Sequence, residues 1–317
     1  MSQHIAVFGY GAVGQAVVDI ALKQGHSVSV AQRSAPAILP AGATFVLCDV
    51  LDGEAVMRAA DGASQIIVAI GFRYDSSTWK ACWPRAMANL IEASAVHGAR
   101  MIFIDNLYMY GPQSRPLKED MPLSDFGVKP AVRSEVTRLW MAAAEAGRAR
   151  ITALRAPDFY GPRVGLSHIG DVGFGAVANG RAATLIVQPD MPHAFAYVPD
   201  IGRAVGTLLE APDETYGQAW HVPCAPLLTP RHILELGAAA IGQKAKIRSV
   251  PLWMLPPAGL VSGFMREVAE MRFTFDRPYE VDSHKFARRF WGEATPFEIG
   301  AAETARSFVR TDAALAA

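Results

Sequence analysis

The stretch HIAVFGYGAVGQ, residues 4–15, constrains the fold more than any other part of the chain. A short apolar run ends in Gly9, and Gly11 and Gly14 complete a G-x-G-x-x-G spacing. Val13, Val17, Ile20 and Ala21 then fall at helical intervals, and Gly25 ends the helix. A glycine turn between a strand and a helix reads as a phosphate cradle. The first glycine permits the tight turn, the second lets backbone approach a pyrophosphate, and the third allows close helix–strand packing. The first helical residues, Ala12 and Val13, offer N–H groups at the positive end of the helix dipole. The spacing alone is a weak signal. Its position after a strand and at the start of a helix supports the reading.

The rest of the first half repeats this alternation. SVSVAQR (27–33), ATFVLCD (43–49), QIIVAIG (65–71), RMIFIDN (100–106) and RITALRAPDFYGP (150–162) read as strands, with helices near 53–61, 84–97 and 131–146. Apolar strands without polar alternation, separated by helices, are the pattern of a parallel sheet covered on both faces. Right-handed crossovers make such a sheet doubly wound. It binds ligands at the carboxyl ends of its strands, so the residues just after each strand are the candidates.

With 317 residues, 51% of them hydrophobic, the chain can bury a large core in one large or two medium domains. Thirty acidic residues balance thirty basic ones without a long run of one sign, so no nucleic-acid or membrane partner is expected. Cys48, Cys82 and Cys224 form neither a disulfide framework nor a zinc spacing, which suggests a reducing, cytoplasmic setting. No basic-plus-apolar leader precedes the first strand. The segment VPLWMLPPAGLVSGFM (250–265) is shorter than a bilayer span and is interrupted by Pro256-Pro257. It is expected to pack as a cap over a pocket.

The second strand ends in Gln32-Arg33-Ser34. No carboxylate is present there to accept from a ribose 2′-OH, whereas the fork of Arg33 and the hydroxyl of Ser34 suit a 2′-phosphate. NADP is therefore expected as cofactor, ahead of NAD. Asp49, at the end of the third strand, is read as a partner of the adenine amino group or as the cap of its own turn. Gly71 leaves room for cofactor backbone contacts, and Phe72, Arg73, Tyr74, Trp79 and Trp83 follow in what reads as an aromatic loop. Such a loop suits a flat or apolar substrate or ordinary packing.

VFGYGAVG, CDVLD, MYGP, LRAPDFYGP, YVPDIGRAV and VDSHKFARRFWG together resemble the extended short-chain dehydrogenase/reductases, in the branch of the NAD-dependent epimerase/dehydratase family. The resemblance implies a Rossmann-type doubly wound parallel sheet over 1–162, with segments near 194–224 returning to it. The remainder of 163–317 would form a smaller C-terminal substrate-binding lid. It also implies that Pro157 borders the nicotinamide, that Tyr160 and His193 lie near the substrate, and that the helices near 84–97 and 131–146 provide the face of a homodimer. Asp200 is expected to cap the helix after it, and His168 ranks below His193.

The family normally uses a Ser or Thr after the fifth strand and a Tyr-x-x-x-Lys pair on the next helix. Here the best match puts Asn106 at the first position and Lys129 and Arg133 at the pair. Arg133 suits ribose hydroxyls but cannot titrate as a base, and Lys129 is either an ammonium donor or a solvated lysine. In an extended chain Asn106, Tyr108 and Tyr110 would share one side. Tyr108 is the candidate replacement proton donor, with Asn106 orienting a substrate carbonyl, and Tyr110 is read as structural. No metal-ligand spacing is evident. The expected activity is an NADP(H)-dependent oxidoreductase or isomerase acting on a small carbonyl or hydroxyl compound. The competing reading is a non-catalytic NADP-binding sensor.

Overall fold

The computed structural model describes residues 2–186 and 188–309. In chain order its elements are β1 (His4–Phe8), α1 (Ala12–Lys23), β2 (Ser27–Gln32), β3 (Ala43–Leu47), α2 (Gly53–Ala59), β4 (Gln65–Val68), α3 (Ser76–His97), β5 (Arg100–Asp105), α4 (Val128–Glu145), β6 (Ile151–Arg155), β7 (Asp158–Tyr160), α5 (Ala176–Ala178), β8 (Ala183–Leu185), β9 (Phe195–Tyr197), α6 (Val198–Leu209), β10 (Ala219–His221), α7 (Pro230–Ala240), β11 (Ile247–Ser249), α8 (Leu255–Val261), α9 (Gly263–Glu270), α10 (His284–Arg289) and α11 (Phe297–Phe308). Two compact units emerge. Among the described residues the first comprises 2–111, 119–156 and 201–222, and the second 112–118, 157–186, 188–200 and 223–309.

The first unit is built on a seven-stranded sheet in the order β10-β6-β5-β4-β1-β2-β3. All its strand pairs are parallel. Residues 5–8, 66–68 and 101–103 are completely or almost completely buried, as strands covered by helices on both faces must be. The fold is the expected doubly wound, Rossmann-type α/β sheet. Its strand order reverses between β1 and β4, which is where such sheets bind ligands.

Three local expectations are corrected. The helix expected from residue 84 begins at Ser76 and runs through Pro84. Asp75 caps it by accepting from the Thr78 N–H at 2.8 Å. Trp79, Trp83, Met87, Leu90 and Ile91 then form one buried face. A proline inside a helix costs about 3 kcal/mol. Burying two tryptophans, each contributing about 2–3 kcal/mol, offsets it. Trp79 and Trp83 are therefore helix residues, not loop residues. Second, α4 starts at Val128, which puts Lys129 in its first turn, with Pro130 where the missing N–H costs nothing. Third, Tyr108–Tyr110 form a 3₁₀ turn, so Asn106, Tyr108 and Tyr110 do not share one side.

The second unit pairs β7 with β9 and β8 with β11, both in parallel. Helices α7 and α11 pack on each other. They enclose a core of Tyr160, Phe174, Phe195, Tyr197, Ile233, Leu234 and Ala301. Among the described residues no helix is long and apolar enough to cross a membrane.

Candidate functional site

The glycine turn lies between the carboxyl ends of β1 and β4. Gly9 has φ +96°, and a Cβ there would lie 2.6 Å from the Ala69 carbonyl oxygen. A Cβ on Gly14 would lie 2.1 Å from the Gly9 carbonyl oxygen. Both glycines are thus required by the fold itself. Gly11 is different. Its φ of −73° suits any residue, and a Cβ there would meet nothing within 4 Å. The first backbone bond of α1 runs from the Gln15 N–H to the Gly11 carbonyl, so the N–H groups of Ala12, Val13 and Gly14 precede the helical ladder. Open space beside those donors fits a pyrophosphate. Gly71, also exposed, likewise has nothing within 4 Å of an added Cβ.

At the end of β2, Gln32 is tied down. Its Oε1 accepts from the Tyr10 N–H at 3.2 Å and its Nε2 donates to the Ser34 carbonyl at 2.7 Å. Arg33 and Ser34 are exposed beside it. Asp49 is exposed and accepts from the Leu51 N–H at 3.0 Å, so it caps its own turn.

Beyond β5 lies a buried charged cluster that the sequence reading saw only in part. Arg133 Nη2 lies 2.6 Å from Asp105 Oδ1, and Arg155 Nε is 3.8 Å from Asp105 Oδ2. All three side chains are buried. Burial pushes the Asp105 carboxyl up, and Arg133 and Arg155 pull against it. The Arg133 guanidinium stacks 4.0 Å from the centre of the Trp83 ring, with Trp79 and Phe103 at 5.5 and 5.3 Å. Its Nε and Nη1, and the indole nitrogens of Trp79 and Trp83, are buried without a hydrogen-bond partner. A buried donor without an acceptor costs about 1–3 kcal/mol. Four such donors around one guanidinium fit a ligand rich in oxygen acceptors.

Tyr108 is half-buried and stacks on Trp79, with ring centres 6.1 Å apart and planes 19° apart. Its N–H donates to Asn106 Oδ1 at 3.0 Å. With that oxygen engaged in the turn, the Asn106 amide has its NH₂ left to donate. Tyr110, by contrast, is fully buried. Its hydroxyl bonds His221 Nε2 at 3.0 Å and accepts from Arg155. Burial, the largest influence, pushes that hydroxyl up to about 12, so its role is structural.

Lys129 is not the solvated lysine that one alternative proposed. It is completely buried, donates to Ser76 Oγ at 3.2 Å and lies 4.8 Å from the centre of the Tyr74 ring. Phe72 meets Trp83 edge-on at 4.9 Å, and Arg73 is exposed. Trp79, expected as a substrate wall, is a buried support for Tyr108.

In the second unit, Tyr160 proves to be a core residue, packed against Phe174, Tyr197 and Phe297, not a substrate contact. Pro157 is buried. His193 is also buried and committed. Its Nε2 lies 2.8 Å from Asp158 Oδ2 and its ring stacks on Tyr279. His168 Nε2 approaches the same oxygen at 3.5 Å and is the more exposed of the two imidazoles. Burial alone would raise the Asp158 carboxyl, but His168 and His193 outweigh it and hold it below the usual carboxylate range. Asp200 sits inside the first turn of α6 and accepts from the N–H and hydroxyl of Thr295, so it anchors a loop to that helix.

Asp105, Arg155 and the Asp158–His168 pairing were missed as a site. The signal for the first two was present, since each is a charge at the carboxyl end of a strand whose middle is uncharged.

Solved structures with the same fold cover nearly the whole chain. UDP-glucose 4-epimerase from Thermus thermophilus, solved as its complex with NAD, is 19% identical with a TM-score of 0.75, covering 96% of this chain and 98% of its own. UDP-glucuronic acid 4-epimerase from Bacillus cereus, in complex with NAD, is 15% identical with a TM-score of 0.76, covering 96% and 98%. dTDP-glucose 4,6-dehydratase from Bacillus anthracis str. Ames, in complex with NAD, is 15% identical with a TM-score of 0.78, covering 97% and 96%. No curated protein matches significantly. The family model described as "NAD dependent epimerase/dehydratase family" matches residues 5–222. That span takes in the glycine turn, the cluster beyond β5 and the Asp158–His193 pair, and it makes the chain a member of the NAD-dependent epimerase/dehydratase family.

Proposed function

We propose that this family member is a nicotinamide-dinucleotide oxidoreductase of a small carbonyl or hydroxyl compound that works without a Tyr-x-x-x-Lys pair. The observation that carries the reading is Gly11, which the fold does not require but a diphosphate beside the first turn of α1 would. The cofactor supplies hydride chemistry, and the protein supplies position and a proton path. Ala12, Val13 and Gly14 hold the diphosphate by their N–H groups. Asp49 is left to the adenine end, and Gly71 gives the cofactor room beyond β4. Arg133, whose Nε and Nη1 are unpartnered, donates to the ribose hydroxyls. Pro157 borders the nicotinamide.

The Asn106 amide orients the substrate oxygen, and Tyr108, held flat on Trp79, passes it a proton. Phe72, Arg73 and Tyr74 border the substrate, and Lys129 holds the aromatic wall in place from beneath Tyr74. The second unit serves as the substrate-binding part. There Asp158, fixed by His193, leaves His168 as its more accessible imidazole. Exposed Val96, Leu139 and Met141 on α3 and α4 support a homodimer.

Turnover of NADPH or NADH by the purified protein with a panel of aldehydes, ketones and enones tests the reading. Tyr108→Phe is expected to lower turnover about 10²- to 10⁴-fold with cofactor affinity retained. Unchanged turnover would remove Tyr108 as donor. Tight cofactor binding with no turnover across the panel would favour the sensor.

For the cofactor we propose NADP. The relatives solved with NAD favour the other dinucleotide, but at such low identity the residues local to this strand end weigh more. Arg33→Ala is expected to weaken NADPH binding about tenfold or more, the size of a lost charge-assisted hydrogen bond, and to leave NADH binding unchanged. Fluorescence titration checks it. Tighter NADH than NADPH binding by the unsubstituted protein would decide for NAD.

A further inference from the structure

The segment expected to pack as a cap instead exposes its apolar side chains. Trp253 is 74% exposed, Met254 42%, Leu260 85%, Val261 90% and Phe264 54%. Exposed apolar residues are ordinary when scattered singly, but a contiguous set marks an interaction surface. The segment is not loose. Leu255 and Val268 anchor it in the core of the second unit, and α8 and α9 pack on each other. Beside them lies an open depression of about 650 Å³, lined by Pro256, Leu260, Ala269, Arg266 and Glu270 among others.

The charges around the patch identify its partner. No ionisable side chain lies between Arg248 and Arg266. Lys244, Lys246 and Arg248 precede the apolar stretch and Arg266 follows it, and all four are exposed. The acids on α9, Glu267 and Glu270, are only half-exposed. Arg272, beyond them, is paired with Asp276. An apolar tip with a tryptophan and basic flanks is the chemistry of a peripheral element that lies in the interface of a bilayer.

We propose that the α8–α9 hairpin docks on an anionic lipid surface. The exposed tips at Trp253, Leu260, Val261 and Phe264 enter the headgroup–acyl boundary, and Lys244, Lys246, Arg248 and Arg266 meet the anionic headgroups. The zero net charge of the chain does not oppose this, because the attraction acts within about a Debye length, roughly 10 Å. A second copy is disfavoured as occupant, because it would bring the same four cations against these four. The segment is too short to span, so docking is peripheral.

Co-sedimentation of the full chain with vesicles of phosphatidylcholine, alone or mixed with phosphatidylglycerol, tests the proposal. Binding to the phosphatidylglycerol vesicles, weakened by salt, is expected. The double variant Leu260→Glu/Val261→Glu should reduce it at least about tenfold, from the loss of two buried apolar side chains. Its thermal unfolding midpoint should not change, because both side chains are exposed. Lys246→Glu should weaken binding most at low salt. Absence of binding to either vesicle would overturn the proposal. So would self-association, seen by sedimentation velocity, that the double variant abolishes while lipid binding is missing.

Discussion

Replacing Gly11 with alanine will leave the fold intact and weaken dinucleotide binding about a hundredfold, or roughly 2.7 kcal/mol. The added methyl meets nothing within 4 Å, and the backbone there suits any residue. Stability should therefore stay within about 0.5 kcal/mol of the parent, with any change leaning toward gain as the unfolded chain loses freedom. A diphosphate seated against the Ala12 and Val13 N–H groups would collide with that methyl. Gly14→Ala is the control. Its methyl would overlap the Gly9 carbonyl oxygen at 2.1 Å, so it should lose stability and binding together. Calorimetric titration with both dinucleotides, beside urea unfolding of each variant, separates the cases. Unchanged affinity in Gly11→Ala would mean that no diphosphate lies against this turn.

Arg133→Met is expected to destabilise the first unit by about 3–5 kcal/mol. That is the cost of leaving a buried carboxylate without the partner that holds it. Asp105 would keep the Asn106 N–H at 2.8 Å and, as its one cation in the cluster, Arg155, whose Nε stands 3.8 Å away. The double variant Asp105→Asn/Arg133→Met should recover none of the loss, since it leaves the buried Arg155 guanidinium without the carboxylate it faces at 3.8 Å, even though the methionine still packs against Trp83. Urea midpoints of the two single variants and the double one form the cycle that checks it. If the double variant is clearly more stable than Arg133→Met, Arg155 does not depend on Asp105 and the three charges do not hold one another. On the proposed function, Arg133→Met should also weaken cofactor binding, because the two unpartnered donor nitrogens leave with it.

The positions of the sheet strands were legible because their signal is local. Ile5–Phe8, Ile66–Val68 and Met101–Phe103 are apolar on both faces, and only a covered parallel strand asks for that. Where local rules conflicted with packing, the reading failed. A helix was expected only from about residue 84, but the Asp75 cap and the burial of Trp79 and Trp83 start it at Ser76 and carry it through Pro84. Lys129 was open between an ammonium donor and a solvated side chain, and only the packing of α4, which turns it inward beneath Tyr74, excludes the second. Tyr160 looked like a site residue from its motif and is core.

From the sequence alone came the glycine turn, the covered strands, the missing carboxylate after β2 and the family. Each is a matter of residue type at short spacing, where sterics and hydrogen bonding act between near neighbours. Only the tertiary structure decided that Asp105 meets Arg133 and Arg155, that Tyr108 rests on Trp79, that Asp158 stands between two imidazoles, and that residues 253–264 face outward. These depend on side chains far apart in the chain. Their meeting is set by how strands and helices pack, and a one-dimensional pattern does not encode which distant charge will be buried beside which.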